Sequence, residues 1–220
     1  MKKIKNMLTL IGGLFLLSCD KPDKLEDKPE SWPISATSPD ANGNVQKNLV
    51  IVFDGSGSMS EDGKIRIAKN AVKTYISSLP KDVMVGVVIF NDGDMRNETA
   101  QNNRSTILES IEKIHPSGST PLTEAVRVAY ENLIKIAKTQ KSPAEYHLAV
   151  VTDGIANDED SLRVVVDDIV NDSPVRIFTI GFMIGSSHAL NQPGKMKYVS
   201  ADNEKELKKG LGQILAEKEE

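Results

Sequence analysis

Asp54-Gly55-Ser56-Gly57-Ser58 follows directly on the apolar run 49–53, and Val150-Val151-Thr152-Asp153-Gly154 ends a second apolar run in another Asp-Gly pair. Carboxylates and hydroxyls at such positions are hard oxygen donors, the kind that hard divalent cations take. Side chains alternate along extended chain, so Asp54, Ser56 and Ser58 are expected to point to one side, with Gly55 and Gly57 permitting the turn. Ser117-Gly118-Ser119-Thr120-Pro121 reads as a tight loop entering a helix, with the Thr120 hydroxyl at its start. Taken singly, each motif has a plain structural reading: Asp-Gly is ordinary turn chemistry and Thr120 alone would serve as a helix cap. Their joint occurrence at strand ends favours one oxygen cage built from Asp54, Ser56, Ser58, Thr120 and Asp153.

Other candidates for chemistry are weaker. His115, His147 and His188 lie in separate segments without metal-ligand spacing, which favours packing or surface roles. Ser56 has Asp54 and Ser58 where a nucleophile elbow needs glycines, and no glycine-rich loop ends in Lys-Ser or Lys-Thr. The acidic groups Asp92 and Asp94, and Asp158, Glu159 and Asp160, read first as solvated loop faces and second as further cation sites.

The elements that must position the cage alternate between two periodicities. Residues 49–53, 83–90, 147–152 and 175–182 are short, β-branched, nearly continuous apolar runs, as expected of parallel strands covered on both faces. Between them Ile65, Ala68, Val72, Ile76 and Leu79 recur at helical spacing, as do Leu122, Ala125, Val126, Ala129, Leu133 and Ile136, with Pro121 suited to a first helical turn. Shorter helices fit 105–114 and 161–170, and a last one starts near Asn203, where Asn203 and Glu206 form a capping-box-like pair. Residues 95–100 and 197–199 fit edge strands, and 185–194 reads as loop. The pattern predicts a doubly wound, mostly parallel α/β sheet with helices on both faces. Ligands of such sheets collect beyond the carboxyl ends of the strands, where strand order reverses. Asp54 and Asp153 both face that crevice if their strands are neighbours.

The amino-terminal part is of another kind. Lys2, Lys3 and Lys5 precede an apolar run 7–17 that is short for a bilayer span, and then Leu16-Leu17-Ser18-Cys19, which has the shape of a secretory leader. Cys19, the one cysteine, stands where a bacterial lipoprotein signal places its lipidated residue; an ordinary leader with an incidental cysteine is the other reading. The folded part then has no disulfide, thiol nucleophile or thiolate-bound zinc. Residues 20–47 are rich in Pro and charge, too poor in apolar groups to repay ordering, and as a tether would reach about 30 Å. Trp32 either docks on the domain or lies exposed. The expected organisation is a leader over 1–18, a lipidated Cys19 with a tether over 19–47, and one domain over 48–220. Losing the leader's lysines takes the formal charge from −4 to about −7, which disfavours nucleic acid and anionic lipid headgroups as partners.

The Asp-x-Ser-x-Ser loop, the Thr of the Gly-Ser-Thr-Pro loop and the later Thr-Asp-Gly together resemble the von Willebrand factor A domain with its metal-ion-dependent adhesion site, over residues 47–215. The resemblance implies a Rossmann-like fold, direct metal ligation by Ser56 and Ser58, ligation by Thr120 in at least one conformational state, and Asp54 and Asp153 binding directly or through water. Oxygen donors without His or Cys suit Mg²⁺ or Mn²⁺, with Ca²⁺ also admissible. Two carboxylates roughly cancel the ion's charge and leave it open to one more oxygen, which in the family is an acidic side chain of a partner. The implied function is a non-enzymatic, metal-dependent protein-binding module for adhesion or complex assembly, lipid-anchored in a bacterial envelope outside the cytoplasm. A metal-assisted hydrolase such as a phosphoesterase is the alternative, opposed by the lack of a Lys or Arg phosphate clamp in the three motifs.

Overall fold

The computed structural model describes residues 29–33, 45–92, 94–100, 104–140, 143–186 and 188–216. The leader over 1–18 and Cys19 lie outside the described residues.

Five of the six strands come from the apolar runs and from the short segment after residue 196. They are β1 (Gln46–Asp54), β2 (Met84–Asn91), β4 (Ala144–Thr152), β5 (Val175–Phe182) and β6 (Lys197–Ala201). The polar β3 (Asp94–Ala100) pairs antiparallel with β2 at one edge; the other pairings are parallel. Strand order is β3-β2-β1-β4-β5-β6, so the chain reverses direction of travel between β1 and β4. The two strands that carry Asp54 and Asp153 are therefore neighbours, in register from Gln46 opposite Ala144 to Phe53 opposite Val151.

Both faces are covered, which is why β1 reads as an unbroken apolar run. Leu49, Ile51 and Phe53 pack on one face against α1 (Lys64–Ser78), α2 (Arg104–Glu112) and α5 (Glu204–Gln213). Val50 and Val52 pack on the other, against α3 (Leu122–Thr139) and α4 (Glu159–Asp172). All five are fully buried, each stabilising the fold by about 1.5–3 kcal/mol. Asn203 caps α5 by accepting from the Glu206 amide, while the Glu206 carboxylate accepts from the Asp202 amide, one residue upstream of the expected reciprocal partner.

Glu30 and Trp32, within the expected tether, touch the domain, which is the docked reading of Trp32. The Trp32 ring packs edge-on against Tyr146 at 4.7 Å and tilted against Tyr130 at 6.0 Å, and Glu30 pairs with Lys138. Tyr146 lies near the start of β4 and Lys138 near the end of α3, so this strap lies toward the amino ends of the strands, away from Asp54 and Asp153. Two tyrosine faces supply the apolar surface that the strap's own sequence lacks.

Candidate metal centre

Asp54 is the last residue of β1 and is fully buried. Its Oδ1 accepts from the Ser56 amide at 2.8 Å and its Oδ2 from the Thr152 hydroxyl at 2.5 Å. Burial pushes its carboxyl above the usual range, the bonds from Ser56 and Thr152 pull it back, and the charge of Asp153 raises it slightly further. Thr152 in turn accepts from the Gly154 amide at 3.1 Å, so one hydroxyl ties the Asp-Gly turn to Asp54. Ser58 donates to Asp153 Oδ1 at 2.7 Å and lies 3.1 Å from the Ser56 hydroxyl. A Cβ added at Gly154 would lie 3.2 Å from Thr120 Oγ1 and 3.7 Å from Asp54 Oδ2, so Thr120 reaches the same spot. The expected donors Asp54, Ser56, Ser58, Thr120 and Asp153 thus meet at the carboxyl ends of β1 and β4.

The route by which they meet differs from simple alternation. Ser56 is extended, with φ −66° and ψ 170°, but Ser58 sits inside a 3₁₀ helix, Gly57–Gly63. The helix turns Ser58 toward Asp153, and Met59 behind it is buried in the core. Nor do Gly55 and Gly57 adopt a positive φ. Gly55 is required by space: an added Cβ would meet the Phe90 carbonyl oxygen at 2.8 Å. Backbone bonds through that gap lace the loops together, with Gly55 donating to Phe90, Ser117 to Gly55, Gly57 to Gly118 and Asp92 to Ser117. Asn157 holds the Thr120 loop from the other side, its amide donating to the Thr120 carbonyl and its side-chain oxygen accepting from the Thr120 amide, both at 3.1 Å.

Sequence reasoning missed Asn157, the bridging role of Thr152, and Lys64. Lys64 opens α1 and reaches Asp153 Oδ2 at 2.8 Å, with its side chain only 10% exposed. His188 is nearby but committed: its Nδ1 accepts from the Leu190 amide at 3.0 Å, which leaves Nε2 to donate to the Gly154 carbonyl at 2.9 Å. Burial lowers the pKa of this imidazole, opposed by its bond to the Gly154 carbonyl. Among the described residues no three His, Cys, Asp or Glu side chains gather as a metal cluster. Any cation here must rely on two carboxylates supplemented by hydroxyls.

The donor chemistry fits a hard divalent ion, because Asp54 is a buried carboxylate with hydrogen bonds but no cation of its own. The edge around it is uneven. Ile155 is 61% exposed and Met183 39%, both at carboxyl ends of strands. Beside Pro121 lies a groove of about 410 Å³ lined by Asp94, Met95, Asn97, Glu124 and Val128.

Fold and site together define a doubly wound α/β domain with a polar, carboxylate-bearing crevice at the point of strand reversal. The family model of the von Willebrand factor type A domain matches residues 48–211, and the chain belongs to that family, one commonly used in adhesion and protein–protein binding. The chain is similar to the uncharacterized protein YwmC of Bacillus subtilis, 24% identical with 95% of each chain covered. Among solved structures it is similar to a D319A mutant of the PilB minor pilin from Streptococcus sanguinis, with TM-score 0.61 and 18% identity over 80% of this chain and 62% of the pilin, so it spans less than two thirds of that protein. It is also similar to manganese-loaded TRAP protein of Plasmodium vivax, with TM-score 0.57 and 18% identity over 77% of this chain and 73% of TRAP.

Proposed function

We propose that the domain is a metal-dependent protein-binding module in which a divalent cation, Mg²⁺ or Mn²⁺, held by Asp54, Ser56, Ser58, Thr120 and Asp153, accepts a carboxylate from a partner. The convergence of these five side chains at the β1–β4 crevice carries the reading. The manganese-loaded state of TRAP, a protein of the same fold, supports a divalent ion. Exposed Ile155 and Met183, with the groove beside Pro121, offer apolar and acidic surface next to the ion, suited to a protein ligand rather than a small one. Anchoring through Cys19 in a bacterial envelope, outside the cytoplasm, is part of the same proposal and rests on the leader sequence.

The chemistry is binding rather than turnover. A metal would supply one open coordination position; the chain's own residues orient it and exclude competing donors. Lys64 stands beside the site although no motif contains a Lys, but its ammonium is engaged by Asp153 and is no free phosphate clamp. His188, with both ring nitrogens used, is no free base.

Calorimetric titration with Mg²⁺ and Mn²⁺ tests the site. Binding in the wild type that vanishes in Asp54→Ala and Ser56→Ala is expected; absence of binding, or binding that both variants keep, refutes it. A pull-down from envelope extract with and without chelator tests the function, and a partner retained equally in both removes the metal from recognition. Acyl chains found on Cys19 support the anchor, and an unlipidated secreted product removes it.

A further inference from the structure

Among the described residues Lys64 is the one buried Lys or Arg side chain, and it stands at this edge outside the motifs. It is 8% exposed overall, and the Asp153 side chain it contacts is fully buried. Its other acidic neighbour, Glu61, is 3.9 Å away with a side chain 71% exposed, so water screens that contact. The position is a poor one for a cation on local grounds. Lys64 follows Gly63, whose φ is +69°, and is the first residue of α1, where the helix dipole is positive. Burying an ammonium there is unfavourable unless a specific anion compensates, and Asp153 is that anion.

The pairing alters the charge balance of the site. Asp54 and Asp153 alone would neutralise a divalent ion; with Lys64 the free site carries one net negative charge and the filled site one net positive charge. Both Asp153 oxygens are also engaged, Oδ1 by Ser58 and Oδ2 by Lys64, whereas Asp54 has only neutral donors. A cation arriving at this crevice finds Asp54 unpaired and Asp153 already shared with another positive charge.

We infer that Lys64 is a built-in counter-cation that holds Asp153 in the metal-free protein, competes with the divalent ion for that carboxylate, and leaves the filled site cationic toward an anionic ligand. The inference rests on the metal-binding reading above. Lys64 is a positioning residue: it sets how tightly the site fills and keeps Asp153 compensated when it does not. Two like charges a few ångströms apart at an edge of intermediate dielectric make an affinity penalty of about tenfold a reasonable expectation.

The test is titration of the full-length chain and of Lys64→Met and Lys64→Arg with Mn²⁺ and Mg²⁺ by calorimetry, together with thermal melting of each with chelator and with saturating metal. Lys64→Met is expected to bind Mn²⁺ about tenfold more tightly than wild type and to melt lower in chelator, with the difference narrowing at saturation; Lys64→Arg is expected to stay near wild type. Unchanged or weaker binding in a folded Lys64→Met overturns the inference. If that variant does not fold without metal, ¹⁵N NMR of the wild-type lysine ammonium groups decides: a slowly exchanging Lys64 signal that shifts on Mg²⁺ saturation supports the competition, and a signal indifferent to Mg²⁺ overturns it. A wild type that binds neither ion sinks the metal reading itself, an outcome distinct from a wild type that binds while Lys64→Met gains nothing.

Discussion

Thr152 and Asp54 meet across the seam between β4 and β1, the threonine hydroxyl donating to Asp54 Oδ2 at 2.5 Å. That bond and the Ser56 amide are what the structure provides for a fully buried carboxylate, and burial still raises its pKa. Asp54→Asn should therefore act in opposite directions on two readouts. Affinity for Mg²⁺ or Mn²⁺ should fall by about a hundredfold or more, while the metal-free domain gains about 1–2 kcal/mol because an uncompensated buried charge is removed. Calorimetry and chelator-treated denaturant melts measure the two, and a variant that loses stability in chelator would contradict the electrostatic account of Asp54.

Gly55→Ala addresses the packing of the loops. The added methyl meets the Phe90 carbonyl at 2.8 Å and the Ile114 side chain at 3.0 Å, so backbone must move. A loss of about 1–3 kcal/mol is expected, with weakened metal binding as the bonds from Ser117 to Gly55 and from Gly57 to Gly118 stretch. Gly57→Ala, whose nearest contact is 3.4 Å, is the milder control. Equal stability of the two variants would count against the space argument.

Trp32→Ala removes the strap's contact with Tyr130 and Tyr146. The half-buried ring should contribute about 1–2 kcal/mol, and metal affinity should not change because the strap lies toward the other end of the strands. As the one tryptophan, Trp32 also reports on itself: its emission should red-shift on unfolding together with the loss of helix signal. Emission already that of a solvated indole in the native protein would show the strap undocked.

Stability should depend on pH through two buried histidines. Burial lowers the pKa of His147 and of His188, opposed for His147 by Glu145 and for His188 by the Gly154 carbonyl. The unfolded chain takes up protons near pH about 6.5 while the folded form resists, so their stabilisation is full above that pH and is lost as pH falls toward the folded pKa values. Asp54, with its pKa raised, acts in the opposite sense, so the Asp54→Asn background isolates the histidines. Chelator-treated melts in that background should be flat above pH 7 and decline below about 6.5; a constant Tm down to pH 5.5 would refute the assignment.

The inner strands were legible because both-face burial makes 49–53, 83–90, 147–152 and 175–182 nearly continuous apolar runs, and Asp54 and Asp153 stand where two of those runs stop; that β1 and β4 are neighbours was a condition only the fold could meet. Lys64 was not legible. Its spacing places it at the start of an amphipathic helix, where a lysine is normally solvated, and nothing local points to an anion 89 residues further on. Ser58 was found but its conformation was not, since a 3₁₀ turn leaves no periodic mark. Asn157 looks like one more loop residue until the Thr120 loop is folded onto it. Trp32 showed the same limit: its partners, Tyr130 and Tyr146, come from α3 and β4.

The strap and the crevice lie toward opposite ends of β1, which gives the domain a direction under load. A partner held at Asp54 and a chain pulled from the Trp32 end would draw along the strand axis. β1 is central, hydrogen-bonded in parallel to β2 on one side and β4 on the other. Its ladder bonds lie across that pull, so they resist together in shear instead of opening one by one from an end. The run of β1 itself, entered at one end and bearing Asp54 at the other, thus makes the domain hold like a lap joint under such a pull.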